Sequence, residues 1–154
     1  MGRAIPVLTE KLQATRASSG NAASTAYELA GARLGRGDLE GAIATYLECL
    51  RLDPQNAAAG NNLGAALIKA GRFAEAITTL EGTLALRPGY LRALTNLGKA
   101  LREAGRMNEA VTRLREALTI EPNHVAGLVN LGDALAANGE LAAAEQVLER
   151  ATFW

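Results

Sequence analysis

A phrase of four residues returns along this chain at a constant spacing of 34 residues. It reads NNLG at residues 61–64, TNLG at 95–98 and VNLG at 129–132. Pro54, Pro88 and Pro122 keep the same interval, so the repetition extends beyond one motif. Because a fixed period of this length is typical of stacked supersecondary units, it constrains the fold more than any other feature of the sequence.

Each repeat is predicted to hold two helices joined by a tight turn. In the repeat that starts near Ala57, Leu63 and Leu67 follow the i, i+4 spacing of one helical face. Gly71 is predicted to end the first helix, because glycine takes positive φ at low cost. Pro88 is predicted to stop the second helix. Small residues recur where the paired helices must approach closely: Gly64, Gly98 and Gly132 on first helices, and Ala42, Ala76, Ala110 and Ala144 on second helices.

This spacing resembles that of the tetratricopeptide repeat family. The signature positions are matched in three repeats by Leu63, Gly64, Leu67, Ala76, Leu80 and Pro88, by Leu97, Gly98, Leu101, Ala110, Leu114, Ala117 and Pro122, and by Leu131, Gly132, Leu135, Ala144, Leu148 and Ala151. The first repeat departs from the pattern, since Ala30 replaces the glycine and Arg33 an apolar residue. The family's early aromatic residue is absent from every repeat. The resemblance implies an all-α fold, an α-solenoid whose repeats form a right-handed superhelix, with the first helices lining its concave surface.

The repeats divide the chain into an N-terminal segment and four units. Residues 1–22 are predicted to form a capping helix, because Ile5 and Leu8 have helical spacing and Pro6 suits a first turn. The four units are 23–56, 57–90, 91–124 and a shorter 125–154. No polar capping helix follows the last unit. Terminal repeats normally need a polar outer face, so we expect either a longer chain or a contact between two copies near Phe153 and Trp154.

The overall composition excludes several classes of function. Sixteen basic residues balance sixteen acidic ones, whereas a domain that binds phosphate backbones usually carries a basic excess, so we expect no nucleic acid partner. No apolar run approaches the length of a membrane span. Glu10 and Lys11 interrupt the N-terminal apolar residues, so no signal peptide is predicted. A cytoplasmic location with no membrane partner is the simplest interpretation.

The sequence shows no catalytic constellation and predicts no enzyme. His124 is the single histidine and follows the link EPN, where a solvated turn residue is expected. Cys49 is the single cysteine and falls at an inner small-residue position, which indicates a buried structural thiol. With one histidine and one cysteine far apart, we expect no metal site and no cysteine nucleophile. No cofactor is predicted.

The polar residues of the first helices are the remaining candidates. The family register places a group of polar side chains on the concave face: Asn61, Asn62, Lys69, Arg92, Thr95, Asn96, Lys99, Arg102, Glu103, Asn130 and Asp133. Positive charge is concentrated in the third repeat, where Lys99 and Arg102 are neighbours on one helix. These cations either receive an acidic ligand or serve only as a solvated face.

Three asparagines share one register immediately before the packing Leu-Gly. The helix propensity of asparagine is lower than that of alanine, yet asparagine recurs at Asn62, Asn96 and Asn130. An amide side chain can form hydrogen bonds with a peptide backbone whatever the peptide's side chains are. The pattern resembles the asparagine ladder in the tetratricopeptide repeats of O-linked N-acetylglucosamine transferases, although Glu28 interrupts it in the first repeat. Shared ancestry of duplicated units is an alternative explanation. The two-carboxylate clamp of chaperone-binding members is not predicted, because Tyr27 occupies one of its positions.

These observations predict a non-enzymatic scaffold that binds an extended peptide. The positive charges of Arg92, Lys99 and Arg102 favour an acidic ligand. Two alternatives stay open. The chain is either a self-assembling module that stacks through its C-terminal face, or the targeting part of a larger enzyme such as a glycosyltransferase. The fold hosts many unrelated partners, so the sequence does not name the ligand.

Overall fold

The computed structural model describes residues 4–15 and 21–152, and their regular structure is entirely helical. Helices succeed one another along these residues with the following bounds: α1 Ala4–Thr15, α2 Ala22–Gly35, α3 Leu39–Leu52, α4 Ala57–Lys69, α5 Phe73–Leu86, α6 Leu91–Glu103, α7 Met107–Ile120, α8 Val125–Ala137 and α9 Leu141–Thr152. The predicted all-α fold is confirmed. The handedness of a superhelix stays a prediction, and Phe153 and Trp154 lie outside the described residues.

Four glycines in one register form the turns within the helix pairs. Gly37, Gly71, Gly105 and Gly139 have φ values of 80°, 76°, 80° and 82°. A side chain rarely adopts this left-handed conformation, whereas glycine does so at little cost. The prediction that Gly71 follows the end of a first helix is therefore correct, because α4 ends at Lys69 and α5 begins at Phe73.

The chain divides into two compact units, of which the first extends to Arg72 and contains α1 to α4. Within this first unit each helix packs against the next. Tyr46 is 1% exposed and is among the largest fully buried side chains. Side chains cap two of the helices. Asp38 Oδ1 accepts from the Gly41 amide at 2.9 Å, and Asn56 Oδ1 accepts from the Ala59 amide at 3.0 Å.

The second unit begins at Phe73 and contains α5 to α9. Successive helices pack in sequence order, and α6 also lies against α8. Its helix pairs are held at close approach by glycine. A methyl group placed on Gly98 would overlap the side chain of Leu114, and one placed on Gly132 would overlap Leu148. The prediction that these two glycines mark the contact between paired helices is confirmed.

Candidate functional site

Two of the predicted concave residues are buried rather than open to solvent. Asn61 on α4 is 3% exposed, and Thr95 on α6 is 6% exposed. The Thr95 hydroxyl donates to the Leu91 carbonyl oxygen of its own helix at 2.9 Å. Both side chains therefore belong to the helical packing. The sequence placed them on the concave face from the family register, which does not show how far neighbouring helices cover each position.

In the first unit Asn62 has partners that the sequence did not predict. Its Nδ2 donates to the Tyr27 hydroxyl of α2 at 3.0 Å, and its Oδ1 accepts from Asn61 at 3.5 Å. Tyr27 and Tyr46 pack edge to face, with ring centroids 6.1 Å apart. Tyrosine hydroxyls in this position need a polar partner, and the amide supplies one. Asn62 thus links α4 to α2 as well as presenting a half-buried amide.

The buried tyrosine of this cluster has an altered acidity. Desolvation by the surrounding helices raises the pKa of the Tyr46 hydroxyl above its ordinary value, and a hydrogen bond with Asn62 offsets part of the rise. Lys69 is exposed in the last turn of α4. A cation there interacts favourably with the helix dipole. The sequence singled out Tyr27 only as an argument against a clamp and missed its bond to Asn62.

In the second unit the predicted residues gather on two neighbouring helices. We call this surface the α6–α8 face, and it consists of Arg92, Asn96, Lys99, Arg102, Asn130 and Asp133. Arg92, Asn96 and Lys99 follow the i, i+4, i+7 spacing of one stripe along α6. The two cations are exposed and the amide between them is half-buried. The stripe therefore offers N–H donors at both ends and an amide in the middle.

Arg102 joins the two helices of this face. Its Nη1 donates to Asp133 Oδ2 of α8 at 3.1 Å, and its Nη2 donates to Glu103 Oε1 at 3.1 Å. Its Nε is buried and has no hydrogen-bond partner among the described residues. The side chain of Arg102 is 21% exposed and that of Asp133 is 45% exposed, so solvent screens much of the pair. The pair connects α6 to α8 at the end of the stripe.

The residues considered for catalysis have structural surroundings. Cys49 Sγ donates to the Ala23 carbonyl oxygen at 3.3 Å, and desolvation raises the pKa of the thiol. His124 Nδ1 lies 3.8 Å from Oε2 of Glu121, three residues earlier in the chain. Across the described ranges, no group of three or more His, Cys, Asp or Glu residues is placed to hold a metal ion. No helix in those ranges combines the length and the apolar character needed to cross a membrane.

Three family matches account for most of the chain. Tetratricopeptide repeat families match at residues 54–123 and 101–154, and a TPR repeat family matches at residues 32–71. Together these matches run from residue 32 to residue 154. The chain belongs to the tetratricopeptide repeat family. The TPR fold generally serves as a protein-interaction module, so the chain is a protein-interaction scaffold of this type. No curated protein sequence matches it.

Solved structures of other TPR proteins share the fold. MamA superposes with a TM-score of 0.87 at 23% identity, covering 96% of this chain and 84% of MamA. YrrB, a TPR protein with an unusual peptide-binding site, superposes with a TM-score of 0.80 at 21% identity, covering 96% of this chain and 77% of YrrB. The first TPR of Spaghetti (RPAP3), bound to the HSP90 peptide SRMEEVD, gives 0.68 at 24% identity, covering 82% and 93%. At these identities the likeness establishes the α-solenoid fold alone.

Proposed function

We propose that the chain binds an extended, acidic peptide segment on the α6–α8 face. The observation that carries the proposal is the stripe of Arg92, Asn96 and Lys99 on α6 beside Asn130 on α8. Cations and amides here stand on rigid helices, which hold donors in place better than loops do. That YrrB has a peptide-binding site, and that the RPAP3 repeat was solved with a peptide, supports a ligand of this class.

The dimensions of the stripe suit a short extended segment. Seven residues of helix rise about 10 Å. Alternate side chains of an extended strand lie on one face about 7 Å apart, and the long side chains of Arg92 and Lys99 can span the difference. Two acidic side chains of one peptide can therefore meet both cations. The amides of Asn96 and Asn130 can pair with the peptide's backbone between them, because an amide offers donors and an acceptor.

The charge of the face favours acidic ligands. Arg92 and Lys99 are exposed, whereas Arg102 shares its charge with Asp133 and Glu103. Arg92 and Lys99 therefore give the stripe a positive electrostatic potential, which attracts an acidic peptide and repels a basic one. Asn62 and Lys69 belong to the first unit. Whether they also contact a peptide is a separate proposal, since Asn62 already bonds to Tyr27.

Binding is tested with a fluorescent probe of alternating serine and glutamate, Ac-Ser-Glu-Ser-Glu-Ser-Glu-Ser-NH2, by fluorescence anisotropy. The Arg92→Gln/Lys99→Gln variant should bind about fivefold more weakly, through loss of two exposed charge contacts. Asn96→Ala/Asn130→Ala should weaken binding about tenfold, because two hydrogen bonds are lost. Arg36→Gln/Arg87→Gln removes the same charge at exposed positions outside α6 and α8 and is the matched control.

Three results would contradict the proposal. The first is equal affinity for the probe and for a version with glutamine in place of glutamate. The second is an equal loss of affinity in the control variant, and the third is no binding at millimolar probe. Circular dichroism of each variant separates a lost contact from lost folding.

A second candidate function is self-association through the far side of the last helix pair. Val129 on α8 is 39% exposed, while its counterpart Thr95 one repeat earlier is 6% exposed, and Leu141 on α9 is 69% exposed. Burying such apolar residues against a second copy would favour a dimer. Sedimentation velocity across a concentration range should show a dimer that Val129→Lys/Leu141→Lys abolishes. A strict monomer at high concentration rules this candidate out.

A further inference from the structure

A second surface, distinct from the α6–α8 face, lies between α7 and α9. We call it the α7–α9 cavity. It has a volume of about 430 Å³, and Leu131 and Leu135 of α8 are among the residues that line it. Leu118 and Val147 add apolar surface, and the side chain of Ala143 is too small to fill the space. The volume falls in the range of pockets that bind small ligands or single side chains.

The neighbouring repeat carries longer side chains at two positions that line this cavity. One period earlier, Glu109 and Arg113 of α7 stand where Ala143 and Val147 stand on α9. Glu109 is paired with Arg106, and Arg113 is paired with Glu116. The last repeat therefore replaces two long, charged side chains by a methyl and an isopropyl group. What remains is an apolar floor without the ion pairs that occupy the outer face of α7.

The charge at the edge of the cavity has one sign. Arg115 of α7 and Arg150 of α9 both line it, and among the described lining residues none carries a carboxylate. Arg150 Nη2 donates to the Pro122 carbonyl oxygen at 2.6 Å, which orients the guanidinium but leaves its charge uncompensated by that contact. Glu116, which stands at the position of Arg150 one period earlier, has the opposite charge. The change of sign makes the edge complementary to an anion.

We propose that the α7–α9 cavity binds a peptide segment in which an acidic side chain stands next to an apolar one. The apolar side chain enters beside Ala143 and Val147 and packs against the partly exposed Leu118. The carboxylate meets Arg115 or Arg150, where a guanidinium can form two parallel hydrogen bonds with it. This site is built mainly on α7 and α9 and uses different residues of α8 from the α6–α8 face, so it does not depend on the function proposed above.

The test uses the tetrapeptide Ac-Leu-Glu-Leu-Glu-NH2 and protein labelled at leucine and valine methyl groups. Titration should shift the methyl resonances of Leu118, Leu131, Leu135 and Val147 in a saturable way. Arg115→Gln/Arg150→Gln should weaken binding about fivefold, because the two charges are exposed. Ala143→Glu copies the side chain of Glu109, occupies the cavity and adds a negative charge, and should abolish the shifts.

The controls separate this site from the other one. Arg92→Gln/Lys99→Gln should leave these methyl shifts unchanged, and Ac-Leu-Gln-Leu-Gln-NH2 should bind at least fivefold more weakly than the glutamate peptide. Ala143 is on the surface of α9, so its variant should keep the far-UV spectrum of the parent. Absence of methyl shifts at millimolar peptide, or shifts that persist in Ala143→Glu, would overturn the proposal. Equal affinity for the glutamine peptide would overturn the assignment of the arginines.

Discussion

The two compact units carry the same asparagine register but surround it with different neighbours. In the first unit Asn62 donates to the Tyr27 hydroxyl at 3.0 Å. In the second unit the residue that stands in the same relation to Asn130 is Thr95, whose hydroxyl donates to the Leu91 carbonyl oxygen of its own helix. A repeated residue therefore keeps its place on the helix while its bonding is decided by the preceding repeat.

The packing between paired helices differs in the same way. In the first pair Ala30 and Tyr46 hold the positions that Gly98 and Leu114 hold in the second unit. Tyr46 brings a hydroxyl into the interior, and Asn62 is its polar partner. Leu114 brings no polar atom, so no amide is needed there. The first unit thus uses its asparagine to satisfy buried hydroxyls, and the second unit leaves Asn130 near its cationic stripe.

A thiol can measure how firmly each unit is closed. Cys49 in the first unit is 0% exposed, and its counterpart Ala117 in the second unit is also 0% exposed. The two thiols compared are Cys49 in the parent protein and the cysteine at position 117 in Cys49→Ala/Ala117→Cys. We expect each to react with a thiol reagent roughly a hundredfold more slowly than a cysteine at exposed position 112, because labelling of a buried thiol requires local opening. The raised pKa of Cys49 slows the reaction further, because the thiolate is the nucleophile.

The labelling experiment needs Cys49→Ala/Thr112→Cys as its exposed control. If the thiol at 117 reacts as fast as the control while Cys49 stays protected, the second unit opens locally and the two units are not equally closed. Equal rates for Cys49 and the control would contradict the burial of this register altogether.

Close approach of the helices in the second unit is tested by adding one methyl group. Gly98→Ala places a Cβ against Leu114, and overpacking of this kind costs about 1–3 kcal/mol. Gly82→Ala is the matched control, because nothing lies within 4 Å of the added methyl. That control should stabilise α5 by up to about 1 kcal/mol through helix propensity. Urea unfolding followed by circular dichroism measures both, and equal midpoints for the two variants would show that Gly98 is not at a close contact.

The repeat pattern was sufficient to predict the helices, the glycine turns and the tight contacts of Gly98 and Gly132. These features depend on residue size and backbone conformation, which recur with the period. The sequence also predicted that Arg92 and Lys99 lie on α6, because both fall in the first helix of the third repeat. The position of a side chain on its helix depends only on its register within that helix.

The bonding of the polar residues could not be predicted in the same way. Asn61 and Thr95 are buried although their side chains are polar, because neighbouring helices cover these two positions, whereas Val129 in the same register is 39% exposed. The bond from Asn62 to Tyr27 joins residues of two repeats and depends on a tyrosine that no other repeat has. The α7–α9 cavity is lined by Ala143 and Val147, and the sequence did not show that these two residues border an open space.

The difference between the two asparagines can be measured by double-mutant cycles. Tyr27→Phe should cost about 1 kcal/mol, the usual net value of a hydrogen bond, and should couple to Asn62→Ala by a similar amount. The matched cycle in the second unit, Thr95→Val with Asn130→Ala, should show coupling near zero. Urea unfolding measures both cycles. Equal coupling energies would mean that the two asparagines have the same role, and the comparison of the units would fail.

The smallest expected effect concerns the ion pair within the α6–α8 face. Asp133→Asn removes the carboxylate that competes with a peptide for Arg102, and the side chain of Asp133 is 45% exposed. We expect affinity for the serine–glutamate probe to rise two- to threefold, about 0.5 kcal/mol, because a partly exposed pair is screened. The gain should shrink at high salt. Glu116→Gln, which breaks the Arg113 pair on α7, is the control and should leave affinity unchanged. A fall in affinity instead would show that Asp133 itself accepts a hydrogen bond from the peptide. In that case hydrogen bonds to the peptide backbone would contribute more to affinity than the charge of the peptide.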